Sequence, residues 1–354
     1  HLTMQDVVSF TGSATTAMKL QSTPVFARES TRFIAERDSL NATVLGPDAT
    51  PDQPEFDLFI KEVVREMTTK AGQKCTCIRR AFVPEHLMDA AEEALKARLS
   101  RTVIGNPRTE GVTMGALVSL DQRRDVREAA HKIAKDARLV YGDFDGVELK
   151  DGDAAKGAFQ SPLLLRCDSP WTAEAAHDVE AFGPVSTLMP YKDLGDAVAL
   201  VNRGHGSLVM SLFTYDTGVA SEMVMGAGAW HGRILIGDRD CAKESTGHGN
   251  PLPNLIHGGP GRAGGGEEMG GIRGVHHYMQ RTALQGSPRM LAAVTHRWMA
   301  GAPEITGGPH PFRLRFGELE IGKTHHTAPR TITIEDIEHF AEFTGDKFYA
   351  HMDE

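Results

Sequence analysis

The sequence predicts an α/β fold built on a mostly parallel sheet with helices on both faces. Three observations carry that prediction. Short apolar runs alternate with helical ones along most of the chain, which is the pattern of strand–helix–strand units. The long stretch around Phe56, Phe59, Ile60, Val63, Val64 and Met67 has the spacing of a helix with one buried face. Runs such as Pro162-Leu163-Leu164-Leu165 and Leu208-Val209-Met210-Ser211-Leu212-Phe213-Thr214 are apolar without alternation, as in strands covered on both sides.

Taken in order, Val7-Val8-Ser9-Phe10 reads as a strand, Thr11-Gly12-Ser13 as a turn, and Ala14 to Leu20 as a helix. A strand, glycine turn and helix start can hold a phosphate on backbone N–H groups, or can be a plain crossover. Thr31 to Asn41 leads into the strand Ala42 to Leu45. Within it Glu36 is one carboxylate among many, and gains a role only if a thiol enzyme needs a base to activate water.

The chain then reaches Lys70-Ala71-Gly72-Gln73-Lys74-Cys75-Thr76-Cys77, a loop between the long helix and a strand over Arg79 to Pro84. Cys75 in such a junction has backbone donors nearby that could stabilise an oxyanion. Lys70, Lys74 and Arg79 would favour its thiolate if they point inward. The residues alone leave open a small buried hydrophobe instead. No histidine has a sequence context tying it to Cys75.

Beyond the loop, His86 to Leu99 and Gln122 to Arg138 read as helices, Val185 to Met189 as a strand, and Asp193 to Asn202 as a helix. Glu180-Ala181-Phe182-Gly183-Pro184 makes a turn that could present a carboxylate and a ring to a ligand, or could simply turn. From Gly247 to Gly274 the composition shifts to glycine, proline and histidine. Gly259, Gly261 and Gly264 spell G-x-G-x-x-G without a strand before or a helix directly after, so the dinucleotide fingerprint is rejected in favour of a long loop over a surface or between domains. His248, His257, His276 and His277 lack the spacing of a zinc motif, and no metal is expected.

Gly and Pro clusters place a linker at 288–310. After it, Thr333 with Asp336 forms a helix start, Ile334, Ile337, Phe340 and Ala341 an apolar face, and Gly345 a stop. Asp346 and His351 follow at once and could hold a water between them as paired acid and base, or be unrelated loop residues.

Composition bounds the rest. A net charge of −9 and a pI near 6.0 argue against a nucleic-acid or anionic-membrane surface. The four cysteines form no dense framework, which suits a reducing, cytoplasmic setting. No apolar run reaches spanning length. The chain opens at His1 and stops just after a chemically suggestive motif, and is expected to be a piece of a longer protein, inactive by itself.

Val8-Ser9-Phe10-Thr11-Gly12-Ser13, Glu36, Ala71-Gly72-Gln73-Lys74-Cys75 and Glu180-Ala181-Phe182-Gly183-Pro184 together resemble, in the right order, the later two-thirds of an aldehyde dehydrogenase. The resemblance implies the aldehyde dehydrogenase fold over 1–287, with 1–38 the end of a Rossmann-like cofactor domain, 39–250 the α/β catalytic domain and 251–287 a Gly-rich return segment. It implies Cys75 as nucleophile, Glu36 as general base, Gly12 and Ser13 at the cofactor diphosphate, and Glu180 and Phe182 at the nicotinamide ribose and ring. Residues 311–354, with Phe343-Thr344-Gly345-Asp346 and His351, resemble the opening of a MaoC-type hydratase of hot-dog fold, which implies Asp346 and His351 as its catalytic pair.

The fused arrangement is similar to the bifunctional ring-opening enzymes of phenylacetate degradation. That likeness implies oxidoreductase and hydrolase activities on a CoA thioester, NADP as cofactor with NAD as the alternative, and a homo-oligomer. Common family members follow the base with Leu-Gly-Gly-Lys, whereas Arg37-Asp38-Ser39 stands here and favours the special branch. The rivals are a single-function NAD(P)-dependent semialdehyde dehydrogenase with a non-working tail, and a silent oligomerisation scaffold.

Overall fold

The computed structural model describes residues 1–303, 305–306, 313–324 and 330–346. By contacts the chain divides into one unit over His1–Gln280 and a second over Arg281–Glu354.

The first unit opens with β1 (Val7–Thr11), α1 (Ala14–Gln21), α2 (Pro24–Glu29) and β2 (Arg32–Glu36). β1 and β2 form a parallel pair whose register puts Thr11 opposite Glu36. The Ser13 side chain caps α1 by accepting from the Thr16 N–H, which fixes where the chain turns out of β1.

A seven-stranded sheet follows, in the order β5-β6-β7-β4-β3-β8-β9. Its strands are β3 (Ala42–Leu45), β4 (Arg80–Pro84), β5 (Arg138–Tyr141), β6 (Leu163–Arg166), β7 (Val185–Tyr191), β8 (Ser207–Phe213) and β9 (His231–Gly237). All neighbours pair in parallel except β5 with β6. The intervening helices are α3 (Pro54–Thr68), α4 (Met88–Leu99), α5 (Leu120–Ile133), α6 (Ala175–Asp178), α7 (Leu194–Asn202) and α8 (Thr217–Ala227).

Strand alternation sorts the core into two. Val44, Phe82, Leu163, Leu165, Met189 and Leu212 face one cluster, with Ala130 of α5, Leu200 of α7 and Met223 of α8. Leu45, Ala81, Val83, Leu164, Leu188 and Phe213 face the other, with Phe59 and Val63 of α3 and Leu95 of α4. Side chains on successive strand residues point to opposite faces, so strands apolar at every position need helices on both. The α/β expectation holds in this sheet.

Two expectations fail locally. The helix expected over Gln122 to Arg138 ends at Ile133, and Arg138 starts β5. Helix-favouring residues around Lys135 yield to pairing of Arg138 and Leu139 with β6, a case of tertiary contacts overriding propensity. The Gly-rich stretch is not loop throughout. It contains β10 (Ile256–His257) and β11 (Glu268–Met269), paired antiparallel, and then α9 (Ile272–His277). A Cβ on Gly261 would lie 2.1 Å from the His205 carbonyl oxygen and one on Gly264 2.1 Å from that of Ala35, so these glycines let the segment lie against backbone.

In the second unit, α10 (Pro288–Thr295), capped by Ser287, forms within the stretch expected as linker. β12 (Ile305–Thr306) and β13 (Lys323–Thr324) pair in parallel. α11 (Ile334–Thr344) starts at a capping box of Thr333 and Asp336 and stops at Gly345 with φ 74°. A hot-dog sheet is not shown among the described residues. No described helix is long and apolar enough to cross a membrane.

Candidate active site

The thiol loop owes its shape to backbone that no repeating structure tolerates. After α3 the residues Lys70, Ala71 and Gly72 all have positive φ, 53°, 51° and 69°. Such a conformation is unfavourable for Lys and Ala, by roughly 1–2 kcal/mol each, and persists only where the surroundings dictate it. Here they do. Asn41, wholly buried, donates from Nδ2 to the carbonyls of Cys75 at 2.7 Å and Cys77 at 3.0 Å. Arg79 donates to the carbonyls of Gly72 at 3.0 Å and Gly183 at 2.7 Å, tying the loop to the Glu180–Pro184 turn. A Cβ on Gly72 would lie 2.1 Å from the Gly183 oxygen.

Around Cys75 the structure assembles Glu36, at the end of β2, and His257, on β10. His257 Nε2 lies 3.8 Å from Cys75 Sγ and 3.3 Å from Glu36 Oε1. Glu36 is 6% exposed, and although its Oε1 faces the imidazole, it makes no well-directed hydrogen bond. The His257 imidazole at this short distance outweighs burial and holds the Glu36 carboxyl below its usual value. The same contact raises His257. Burial first, and then the Glu36 carboxylate, push the Cys75 thiol up. Glu268 on β11 also meets Glu36, and its carboxyl is raised by burial and by that neighbour.

A cavity of about 470 Å³ opens onto this cluster, lined by Gly12, Ser13, Glu36, Cys75, Glu180 and Phe182 among others. All six residues singled out in this part of the sequence therefore share one hollow. Burial, opposed by Arg79, pushes Glu180 up to about 7, and Arg79 Nε stands 3.8 Å from its carboxylate. Gln122 donates to the Phe182 carbonyl at 2.8 Å, fixing the turn that carries the half-exposed ring.

Two expectations need correction. Lys74 and Arg79 do not face the thiol: Lys74 Nζ pairs with the buried Glu66 at 2.7 Å, and the Arg79 guanidinium goes to carbonyls. Their charge is committed to holding the loop. And a histidine is tied to Cys75 after all, from a segment far along the chain where no local pattern marks it. Asn41 was equally invisible, since nothing in sequence distinguishes a buried loop-bracing amide. A partial signal existed for Asp38, where the chain departs from Leu-Gly-Gly-Lys: it pairs with Arg262 at 2.6 Å, joining the Glu36 segment to the Gly-rich one.

In the second unit, Asp346 follows the end of α11, its N–H bonded to Thr344 Oγ1 at 3.3 Å. His351 lies outside the described residues. A hollow of about 860 Å³ there is lined by Ile332, Ile337, Phe340, Phe343 and Asp346.

The chain matches the model of the "Aldehyde dehydrogenase family" over residues 3–284, and it belongs to that family. It is 47% identical over 260 residues to 3,4-dehydroadipyl-CoA semialdehyde dehydrogenase of Aromatoleum evansii, covering 73% of this chain and 50% of that protein. It is 50% identical over 244 residues to Protein MaoC of Klebsiella aerogenes, covering 68% of this chain and 70% of the relative. Betaine aldehyde dehydrogenase of Staphylococcus aureus in complex with NAD+ is similar in structure, with a TM-score of 0.66 at 24% identity, covering 77% of this chain and 50% of that one. That likeness establishes the aldehyde dehydrogenase fold. The chain spans about half the length of the Aromatoleum relative and of this solved structure.

Proposed function

We propose that the protein is the ring-opening and aldehyde-oxidising enzyme of phenylacetate catabolism, acting on CoA thioesters with NADP, NAD being the alternative. The observation that carries this reading is the placement of Cys75, Glu36, Glu180, Phe182, Gly12 and Ser13 around one cavity. The relatives named for a CoA semialdehyde and for MaoC support the substrate class and the second activity.

The cofactor's fit rests on the hollow itself. It includes the capped start of α1 at Ser13, where backbone N–H groups suit a diphosphate, and is lined also by Phe182 and Cys75. Gly12 and Ser13 would hold the diphosphate, Glu180 the ribose hydroxyls and Phe182 the nicotinamide. When bound, that ring accepts the hydride released from the aldehyde carbon.

The chain's own residues do the rest. Neutral His257 takes the Cys75 proton, and the sulfur adds to the aldehyde carbon as a thiohemiacetal whose oxyanion backbone N–H groups stabilise. Loss of hydride leaves a thioester on Cys75. Glu36 removes a proton from water as the oxygen attacks the thioester, the sulfur departs, and the acid is released. In the C-terminal segment Asp346 and His351 activate the water that adds to oxepin-CoA, and the ring opens to 3-oxo-5,6-dehydrosuberyl-CoA semialdehyde. Placing both activities on one chain limits the lifetime of a reactive semialdehyde. We place the enzyme in the cytoplasm as a homo-oligomer. Its cysteines unlinked by disulfides and its edge strand β9 with Ile236 exposed support this setting.

The test is the full-length gene product with oxepin-CoA and NADP, followed by absorbance of reduced cofactor. Growth in wild type and none in Cys75→Ala supports coupled ring opening and oxidation; no growth in wild type refutes it. With Asp346→Asn, loss of growth supports the hydratase step. Unchanged growth removes Asp346 from the ring-opening step.

A further inference from the structure

The group of Glu36, Cys75 and His257 offers one ligand atom from each residue, all within 4.8 Å of one another. The sulfur and Nε2 stand 3.8 Å apart, and Nε2 and Oε1 3.3 Å apart. In a tetrahedral zinc site, with bonds of roughly 2.3 Å to sulfur and 2.0–2.2 Å to nitrogen and oxygen, the corresponding separations are about 3.6 and about 3.4 Å. Two edges of a coordination triangle are thus close to their zinc values before any ion arrives, and the third, from sulfur to carboxylate oxygen, lies within 4.8 Å. A second observation points the same way: Glu36 is 94% buried, and its Oε1 receives no well-directed hydrogen bond, the His257 Nε2 at 3.3 Å being an ion-pair contact only. A buried carboxylate oxygen without a donor is a costly group that a cation would satisfy.

We propose that Glu36, Cys75 and His257 form a binding site for a soft divalent cation, Zn2+, whose occupancy holds the enzyme in a reversibly inhibited state. The donor set selects the ion. Sulfur and imidazole suit zinc, whereas magnesium and calcium require shells of oxygen. Binding replaces the thiol proton of Cys75, which leaves to solvent, so thiolate and carboxylate balance the double charge in a buried place. The fourth position opens to the cavity and takes a water. The proposal rests on the catalytic reading of these residues, because one ion removes nucleophile and base together, and a chelator restores both.

The test uses the present chain, metal-free, titrated with Co2+ as a spectroscopic stand-in. A thiolate-to-cobalt absorption saturating at one equivalent and displaced by Zn2+ is expected. Cys75→Ser should abolish it, and His257→Gln and Glu36→Gln should each weaken binding roughly tenfold or more. In parallel, Zn2+ should protect Cys75 from alkylation by iodoacetamide, and a chelator should remove the protection. A missing absorption overturns the site, as does one that persists in Cys75→Ser or binds equally well in both Gln variants. Two ligand variants guard against one failing to fold. A metal-free Cys75 inert to iodoacetamide with the cobalt absorption intact supports the metal site and counts against the nucleophile reading alone.

Discussion

Replacing Asn41 by Ala tests whether one buried amide holds the Cys75 loop. Asn41 Nδ2 donates to the Cys75 and Cys77 carbonyls, while Oδ1 accepts from Ser39 Oγ at 2.6 Å and from the Val209 N–H at 3.1 Å. The residue is 0% exposed, so water does not reach the groups it would leave behind. Each orphaned buried group costs roughly 1–3 kcal/mol, and with partial relaxation the total comes to about 4 kcal/mol. That is a large share of a domain stability of about 5–15 kcal/mol. Urea unfolding of the chain should show the first transition moved down by about 1.3 M at a slope near 3 kcal/mol per M. Burial is the main cause holding the Cys75 thiol protonated, so a loosened loop should also alkylate faster at neutral pH. A midpoint within about 0.3 M of wild type, with unchanged alkylation, would refute the bracing role.

Other outcomes follow from the same geometry. His257→Gln should remove the limb of Cys75 alkylation that rises as pH passes through the raised imidazole pKa, above about 6.5, leaving reactivity only at higher pH; an unchanged alkylation–pH profile counts against the proton acceptor. The Glu36–His257 pair should stabilise the fold most between roughly pH 4.5 and 6.5. The lowered carboxyl loses its contribution as pH falls through its folded value, the raised imidazole as pH rises through its own, and midpoints of Glu36→Gln against wild type across pH measure both. In the full-length enzyme, Glu36→Gln should slow thioester hydrolysis by ~10²–10⁴, so that mass spectrometry finds acyl groups on Cys75. Gly72→Ala should destabilise by about 3 kcal/mol, because it adds strain at φ 69° to a 2.1 Å approach to backbone oxygen; Gly228→Ala, with open space and helical φ, should be near neutral in the same urea assay.

Much of the fold was legible because its signals are local. Strands covered on both faces must be apolar at every position, and Leu163-Leu164-Leu165 announces that directly. The helix on Phe59, Ile60 and Val63 announces its buried face by spacing. What failed was set by distant partners. Arg138 sits in β5 because β6 is there to pair with it, and the glycines after 247 pack against backbone because β2 and the turn before β8 lie beneath them. Composition alone reads such a segment as a loop, since glycine's missing side chain looks the same whether it supplies flexibility or allows close approach.

The site divides along the same line. Cys75, Glu36, Glu180 and Phe182 sit in short stretches that resemble the aldehyde dehydrogenase motifs in the right order, so the resemblance nominated them where the residues alone left them open. His257 could not be nominated, because its meaning depends on how its segment is fastened. That fastening lies in the residues after Glu36. The Arg37 N–H donates to the Ala263 carbonyl at 3.3 Å and Arg37 Nη2 to that of Gly261 at 3.0 Å. Arg262 grips Asp38 through two bonds of 3.0 and 2.6 Å, and Ala35 bridges Gly265. Every one of these joins the stretch that carries Glu36 to the stretch that follows His257. The departure from Leu-Gly-Gly-Lys and the histidine beside the thiol are therefore parts of one arrangement. Replacing Asp38 by Ala should leave the nucleophile loop braced by Asn41 and Arg79 while loosening the His257 segment, so Cys75 should lose its imidazole-dependent alkylation limb with little change in its burial.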